Sequence, residues 1–233
     1  MKKIDRLTIT NMDVYFPLVQ KRDLIQKISE RYFINGSLLD LGCGTMPYKD
    51  LILKNSGITN YIGVDIENPI YQKTLKPDCF WDGYKVPLES STFDNAILIE
   101  VLEHMPKPEN TLKELSRLLK KDGNLLITVP FLWTLHDVPN DEFRYTPFAL
   151  KRMLEENNFE VINLESFNNW HGSMASMLAL YARRGCPVKF RKIFSFFIFP
   201  VVKYLMKKDS GSNKAVFNEG QMITGIWCLA KRK

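Results

Sequence analysis

Long apolar runs are missing from this chain, and so are paired cysteines. A membrane-spanning helix needs roughly 20 apolar residues. The most aromatic stretch, Ile193 to Val202, runs for only ten uncharged residues. The four cysteines (Cys43, Cys79, Cys186, Cys228) form no CxxC pair, and only three histidines accompany them. That scarcity argues against a zinc centre and a disulfide framework, so no metal ligand is assigned and a reducing, cytoplasmic setting is expected. The opening "MKKIDRLTITNMDVYF" mixes Asp, Thr and Asn into the place where a signal peptide needs a continuous apolar stretch, so no export signal is expected. Internal repeats and low-complexity segments are lacking as well.

What the chain does have is core material. With 233 residues and 45% apolar side chains it suits one domain spanning 1–233, with an N-terminal helical segment over 1–36. Its net charge of +6 is unevenly placed. Residues 183–233 hold 12 basic side chains against Asp209 and Glu219, a net +10, whereas residues 1–182 hold 20 basic and 24 acidic, a net −4. An acidic body argues against a nucleic-acid cleft, and a basic tail suits an anionic surface.

Short apolar runs alternate with helical patterns. "SLLDLG", "YIGVDI", "DCFW", "FDNAILIEV", "NLLITVP", "FEVINLESF" and the late "QMITGIWCLAK" read as strands. Residues 17–33, 47–55, 108–120 and 147–158 read as helices, the third with Leu112, Leu115, Leu118 and Leu119 on one face and Gly123 as its left-handed stop. The alternation predicts an α/β fold with a mainly parallel sheet covered on both faces, and ligands at the carboxyl ends of its strands.

At the end of the first strand stands "LLDLGCGTMPY", where Gly42 and Gly44 allow a tight turn and close approach of backbone to a ligand. Twenty-one residues beyond Gly44, Asp65 ends the second strand, placed to accept from both hydroxyls of a ribose. The third glycine of a dinucleotide fingerprint is absent, because Met46 and Pro47 follow Thr45. A nucleoside without a pyrophosphate fits better, and a nicotinamide dehydrogenase is disfavoured.

These segments, with "GVDIE" and "WDGYKVPLESSTFDNAILIEVLEHMPKPENTLKELSRLLKKDGNLLITVP", resemble the class I S-adenosylmethionine-dependent methyltransferases, in their small-molecule branch, over about residues 36–166 and the last strand. The resemblance implies a Rossmann-like sheet of seven strands, the last antiparallel, and S-adenosylmethionine as cofactor. By matching position it implies that Asp40, Gly42, Cys43 and Gly44 line the methionine end. Asp65 then takes the ribose, Ile66 packs on the adenine, Asp82 and Gly83 border the adenine, and Glu100 lies beside the sulfonium. Other residues have plainer readings: Phe80 and Trp81 as core, Phe93 and Asp94 as structural, Cys43 as a small packing residue, and His104 as an anchor for the turn before "MPKP".

After the fifth strand comes "HDVPNDEFRYT", which resembles the H-x-x-P-x-D-[FY]-x-R-[FY]-T signature of bacterial methyltransferases associated with sugar and cell-surface polysaccharide genes. Thr146 and Pro147 read as a helix cap and first turn. His136 is the natural base, Asp141 orients it or pairs with Arg144, and Arg144 meets Asp141 or an anionic acceptor. His171, in "NWHGS", is a further histidine near the same end of the sheet.

Between the sixth and seventh strands, residues 168–218 form a long insertion, basic and aromatic at its centre, "KFRKIFSFFIFPVVKYLMKK". Residues 189–208 suit peripheral contact with the inner face of a membrane, or a helix packed on the protein or on a second copy. The chain thus reads as a methyltransferase, with O-methylation of a sugar or glycan-like acceptor, lipid-linked acceptors included, as the expected reaction. The rival readings are methylation of a quinone-like or other small metabolite, and a cofactor-binding regulatory module without catalysis.

Overall fold

The computed structural model describes residues 6–67, 76–209 and 214–233. The apolar runs form seven strands: β1 (Gly36–Leu41), β2 (Ile58–Asp65), β3 (Cys79–Phe80), β4 (Phe93–Ile99), β5 (Leu119–Pro130), β6 (Phe159–Ser166) and β7 (Gly225–Arg232). They make one sheet in the order β3-β2-β1-β4-β5-β7-β6. Only β7 runs antiparallel, pairing with β5 from Asn124↔Lys231 to Pro130↔Gly225 and with β6 on its other side. Among the described residues this is the doubly wound sheet expected from the alternation of strands and helices.

Central strands of such a sheet are covered on both faces and so carry unbroken apolar runs. Alternate residues go to opposite sides. Leu39, Leu41, Leu98, Leu125 and Ile127 pack with Leu112, Leu115 and Leu118 of α3 (Pro108–Leu118) and with Leu150 and Leu154 of α4 (Pro147–Glu156). Leu38, Ile97 and Leu126 face the other way, onto Leu24, Ile25 and Ile28 of α1 (Met12–Tyr32) and Ile52 of α2 (Lys49–Asn55). Thr146 caps α4 as expected, its Oγ1 accepting from the Ala149 amide at 3.2 Å.

Two helix ends differ from the sequence reading. α1 starts at Met12 and takes Pro17 inside it, because Met12 is buried against α5 (Trp170–Leu180) and α6 (Val188–Asp209), so tertiary packing holds a turn that proline chemistry alone disfavours. α3 ends at Leu118, since Leu119 already pairs with Phe93 in the sheet, and the left-handed residue is Asp122 at φ 61° instead of Gly123. Gly123 serves close approach: a Cβ there would lie 2.8 Å from the Lys120 carbonyl oxygen.

The insertion after β6 is helical. α5 passes through a π-helical turn, Tyr181–Gly185, into α6. Ala175, Ala179, Ala182 and Val202 join Met12 in a separate apolar cluster, to which Phe194, Ile198 and Phe199 add their inner surfaces. The insertion therefore packs on α1, while its outer surface exposes Phe190, Ile193, Phe196, Phe197 and Tyr204. Among the described residues, no helix is long and apolar enough to cross a membrane.

Candidate functional site

β1 is hydrogen-bonded to β2 on one side and to β4 on the other, so the strand order reverses between β1 and β4 and leaves a crevice at their carboxyl ends. Everything singled out after β1, β2 and β4 converges there. The Gly42 and Cys43 amides donate to the Val64 carbonyl at 2.8 and 3.1 Å, bending the chain sharply after β1. Gly42 has φ +75°, and a Cβ on it would collide with Val101. Gly44, at φ +52°, has nothing within 4 Å of where a Cβ would be, so backbone is presented to open space.

Asp65 ties this loop to β2. Its Oδ2 accepts from the Gly44 amide at 2.7 Å and its Oδ1 from the Ile66 amide at 2.8 Å. Burial pushes its carboxyl up, against the two amide bonds that pull it down. Each carboxylate oxygen has a second lone pair, so the group can still accept two ribose hydroxyls. Asp40 lies deeper, accepting from the Tyr61 hydroxyl, and burial raises its carboxyl to about 7 in spite of that bond. Asp40 thus supports the loop from below. Cys43 is buried among apolar neighbours, with burial holding its thiol well above the ordinary range, so it is an unreactive packing group.

Toward the edge of the sheet, Asp65 pairs in register with Phe80, which is 45% exposed, while Trp81 is buried in the core. The expectation that both are core is corrected for Phe80: β3 is a two-residue strand at the sheet edge, and alternation turns this ring outward. Ile66 is also half-exposed. Asp82 closes a turn on itself, its Oδ1 accepting from the Tyr84 and Lys85 amides at 2.8 Å, and these bonds hold its carboxyl below the ordinary value. Gly83, at φ +86°, completes that turn.

Glu100 follows β4 in a left-handed conformation, φ 54°, which costs a non-glycine residue on the order of 1 kcal/mol. Two contacts hold it there. Thr128 of β5 donates its hydroxyl to Oε1 at 2.9 Å, and Lys21 of α1 reaches Oε2 at 2.8 Å. Burial works against the charge on Lys21, but Glu100 outweighs it and raises the lysine pKa. Nothing in the sequence around Lys21 marks it as a site residue.

Two residues on, the short turn Leu102–His104 carries the loop that follows β5. The Glu103 carbonyl accepts from the Glu142 and Phe143 amides at 2.9 and 3.1 Å, and the Leu102 carbonyl accepts from the Tyr145 hydroxyl at 3.1 Å. His104 Nδ1 lies 3.0 Å from the Asn140 carbonyl. That contact makes His104 the anchor of the 136–145 loop. Arg144 holds Asp141 with both arms of its guanidinium, 2.6 Å to Oδ1 and 2.7 Å to Oδ2, and keeps that carboxyl far below the ordinary range. The fork is therefore occupied by Asp141. Asp141 Oδ2 also accepts from the His136 amide at 3.1 Å and stands 3.2 Å from His136 Nδ1, within reach though not aligned as a hydrogen bond.

Glu103, which sequence reasoning passed over, is the centre of this cluster. Its side chain is 0% exposed and neither carboxylate oxygen accepts a hydrogen bond. The Nε2 atoms of His104 and His136 each stand 3.8 Å from its Oε1, and the two rings meet edge to face at 4.8 Å. Burial raises the Glu103 carboxyl, while Glu103, more than Asp141, raises His136. The signal available in "VLEHM" was an acid between apolar residues with a histidine beside it. His171 does not join them: it opens α5 in a cleft of about 480 Å³ with Trp170, Asn218, Glu219 and Gln221.

Known proteins share parts of this sequence and its fold. An uncharacterized protein of Methanocaldococcus jannaschii is 28% identical over 140 residues, 58% of this chain and 53% of that one, so the match spans about half the length of this curated relative. A methyltransferase of Mesorhizobium loti, S-adenosylmethionine-dependent, superposes with a TM-score of 0.60 at 12% identity, covering 93% of this chain and 100% of that one. A second such enzyme, from Archaeoglobus fulgidus, gives 0.56 at 20% identity, covering 94% and 100%. Both likenesses show the fold. Residues 18–164, more than half of the sequence and the part that carries the glycine loop, Asp65, Glu100 and the 136–145 loop, match the methyltransferase domain, and the chain belongs to that family, whose cofactor is S-adenosylmethionine.

Proposed function

We propose that this chain is an O-methyltransferase acting on a hydroxyl of a sugar or glycan-like acceptor. The observation that carries the reading is His136, an imidazole set between two carboxylates, Glu103 and Asp141, in the loop that follows β5. Asp141, held ionised by Arg144, stands 3.2 Å from His136 Nδ1 and favours the proton on that nitrogen, with Nε2 as the acceptor. Asp40, Gly42, Gly44 and Asp65 fit a nucleoside carrying an amino acid: open backbone at Gly44, a carboxylate with spare lone pairs at Asp65, and the Glu100–Lys21 pair beyond them. When bound, S-adenosylmethionine supplies a methyl carbon already activated by its sulfonium, whose C–S electron pair returns to sulfur as the acceptor oxygen attacks.

The protein's own part is position and proton transfer. The acceptor hydroxyl gives its proton to His136 Nε2, and the imidazolium so formed is stabilised by Glu103 and Asp141 before it returns the proton to water. Arg144 positions Asp141. The outward apolar stripe of α6, with basic side chains at 189, 192 and 203, supports a lipid-linked acceptor approached from an anionic bilayer.

Transfer of labelled methyl groups to a panel of hydroxyl-bearing glycans, free and lipid-linked, tests the reading. His136→Ala is expected to lower turnover by about 10² or more while leaving S-adenosylmethionine affinity within a few-fold. Near wild-type turnover at saturating acceptor, or a product methylated at carbon or nitrogen, would rule it out.

A further inference from the structure

The cluster beneath the acceptor loop raises an electrostatic question. His104 Nδ1 faces a backbone carbonyl, which only accepts, so Nδ1 carries the proton and Nε2 carries the lone pair. His136 Nδ1 stands 3.2 Å from Asp141 Oδ2, a carboxylate clamped by Arg144. Both Nε2 atoms stand 3.8 Å from Glu103 Oε1. Two imidazole nitrogens and a wholly buried carboxylate therefore converge without a hydrogen bond between them, and both oxygens of Glu103 are unpartnered. A cation among them would partner all three.

We propose that Glu103, His104 and His136 bind a divalent transition-metal cation at the acceptor end of the site. All three ligand atoms lie within 4.8 Å of one another. With metal–ligand bonds of about 2.0–2.1 Å, tetrahedral ligands stand roughly 3.4 Å apart, so the two 3.8 Å separations from Glu103 need to close by a few tenths of an ångström, while the histidine pair, within 4.8 Å, closes by turning the exposed edge of an imidazole inward. The outer groups are in place as well. A metal-bound imidazole commonly donates its other N–H to a carbonyl or carboxylate, which fixes its tautomer and direction. His104 has the Asn140 carbonyl, and His136 Nδ1 has within 3.2 Å the carboxylate of Asp141, itself clamped by Arg144, which a small turn of the ring would align. Two imidazoles and one carboxylate favour Mn²⁺, Co²⁺ or Zn²⁺ over Mg²⁺ or Ca²⁺, and three protein ligands leave coordination positions open toward the acceptor. The sequence reading assigned no metal ligand because it found no ligand spacing; His104 and His136 are 32 residues apart and meet only through the fold.

This inference rests on the reading of the rim as the acceptor site and changes the part of His136 within it, from base to ligand. A cation that holds the acceptor oxygen makes its hydroxyl acidic enough to give the proton to water.

The test uses the full chain without an affinity tag, stripped with a chelator and titrated with Co²⁺, whose visible absorption reports imidazole ligation, and with Mn²⁺ and Mg²⁺ by calorimetry. One equivalent of Co²⁺ is expected to bind at micromolar concentration or tighter, with Mg²⁺ weaker. Glu103→Gln and His136→Ala are each expected to weaken Co²⁺ by more than tenfold, and Asp141→Asn by about tenfold through the outer shell. Thermal unfolding of the stripped proteins shows whether each variant is folded, and Asp141→Asn, which leaves all three ligands in place, keeps the test open should Glu103→Gln unfold. Failure to bind any of these cations stoichiometrically, or Co²⁺ binding indifferent to all three substitutions, would overturn the proposal. Methyl transfer that survives chelation and still depends on His136 sinks the cation and leaves the O-methyltransferase reading standing. Stoichiometric cation binding without transfer to any hydroxyl does the reverse.

Discussion

Lys21, in the helix that precedes the first strand, reaches across to Glu100 at the end of β4 and meets its carboxylate at 2.8 Å, with side chains only 15% and 24% exposed. The pair closes the crevice between β1 and β4 from the α1 side and holds Glu100 in its left-handed conformation. Removing one partner of a buried pair costs more than removing both, because a charge is left without compensation. Lys21→Met is therefore expected to destabilise the fold by about 2–3 kcal/mol in urea unfolding, somewhat under the full cost for a wholly buried pair. Adding Glu100→Gln should recover part of that loss. A loss below about 0.5 kcal/mol, the range of ordinary surface changes, would show that the pair carries no structural weight.

Asp65 holds the glycine loop and is proposed to hold the ribose, and its variants separate the two. Its Oδ2 holds the Gly44 amide, and its remaining lone pairs are the proposed acceptors for the ribose hydroxyls. Asp65→Ala removes both and is expected to weaken S-adenosylmethionine by about 1.5–3 kcal/mol in calorimetry, the scale of hydrogen bonds to a charged group. Asp65→Asn keeps one acceptor oxygen and should fall between. Unchanged affinity, or tight binding of a nicotinamide dinucleotide, would remove Asp65 from the cofactor site.

Much of this was legible beforehand where a feature is local. Strand runs, the Thr146 cap and the Asp141 pairing with Arg144 depend on residues a few positions apart, and each sits where propensity and spacing put it. Glu103 was not legible, because a glutamate between Leu102 and His104 looks like any turn acid until the fold buries it. Lys21 and Tyr61 were hidden for a related reason: their partners, Glu100 and Asp40, lie 79 and 21 residues away and are chosen by sheet order. Phe80 was misplaced because a two-residue strand gives too short a pattern to say which face is inner.

Asp40 links the site to pH. Burial raises its carboxyl to about 7, so the folded protein holds a proton that the unfolded chain releases near 4. The folded pKa is raised, so the stabilising contribution is complete below the unfolded value and is lost as pH rises through about 7. Stability should therefore fall between pH 4 and 7 by an amount on the order of a few kcal/mol that Asp40→Asn removes, since the amide needs no proton to stay neutral and its oxygen can still accept from Tyr61. The check is urea unfolding of both proteins at pH 5 and pH 8. A slope unchanged by the substitution would assign it to another group.

The outer surface of α6 gives the last prediction. Phe190, Ile193, Phe196, Phe197 and Tyr204 are all more than half exposed, at spacings that keep them on the side of the helix turned away from α5, and basic residues flank them at 189, 192 and 203. If that stripe rests on an anionic bilayer, the protein should co-sediment with anionic vesicles more than with neutral ones, each basic residue contributing on the order of 1 kcal/mol near the surface. Added salt should release part of the bound fraction. Replacing Phe190, Phe196 and Phe197 with Ser should abolish the remainder while leaving S-adenosylmethionine affinity and folding stability intact. Phe199 is left alone, because its ring packs inward on the cluster formed with Met12 and Ala179, and its loss would destabilise the insertion itself. Should the stripe instead pack against a second copy of the chain, the same triple variant would ignore vesicles of either kind and shift the sedimentation coefficient of the protein alone. Equal recovery with neutral and anionic lipid would remove the electrostatic part of the proposal, since burial of the aromatics does not depend on lipid charge.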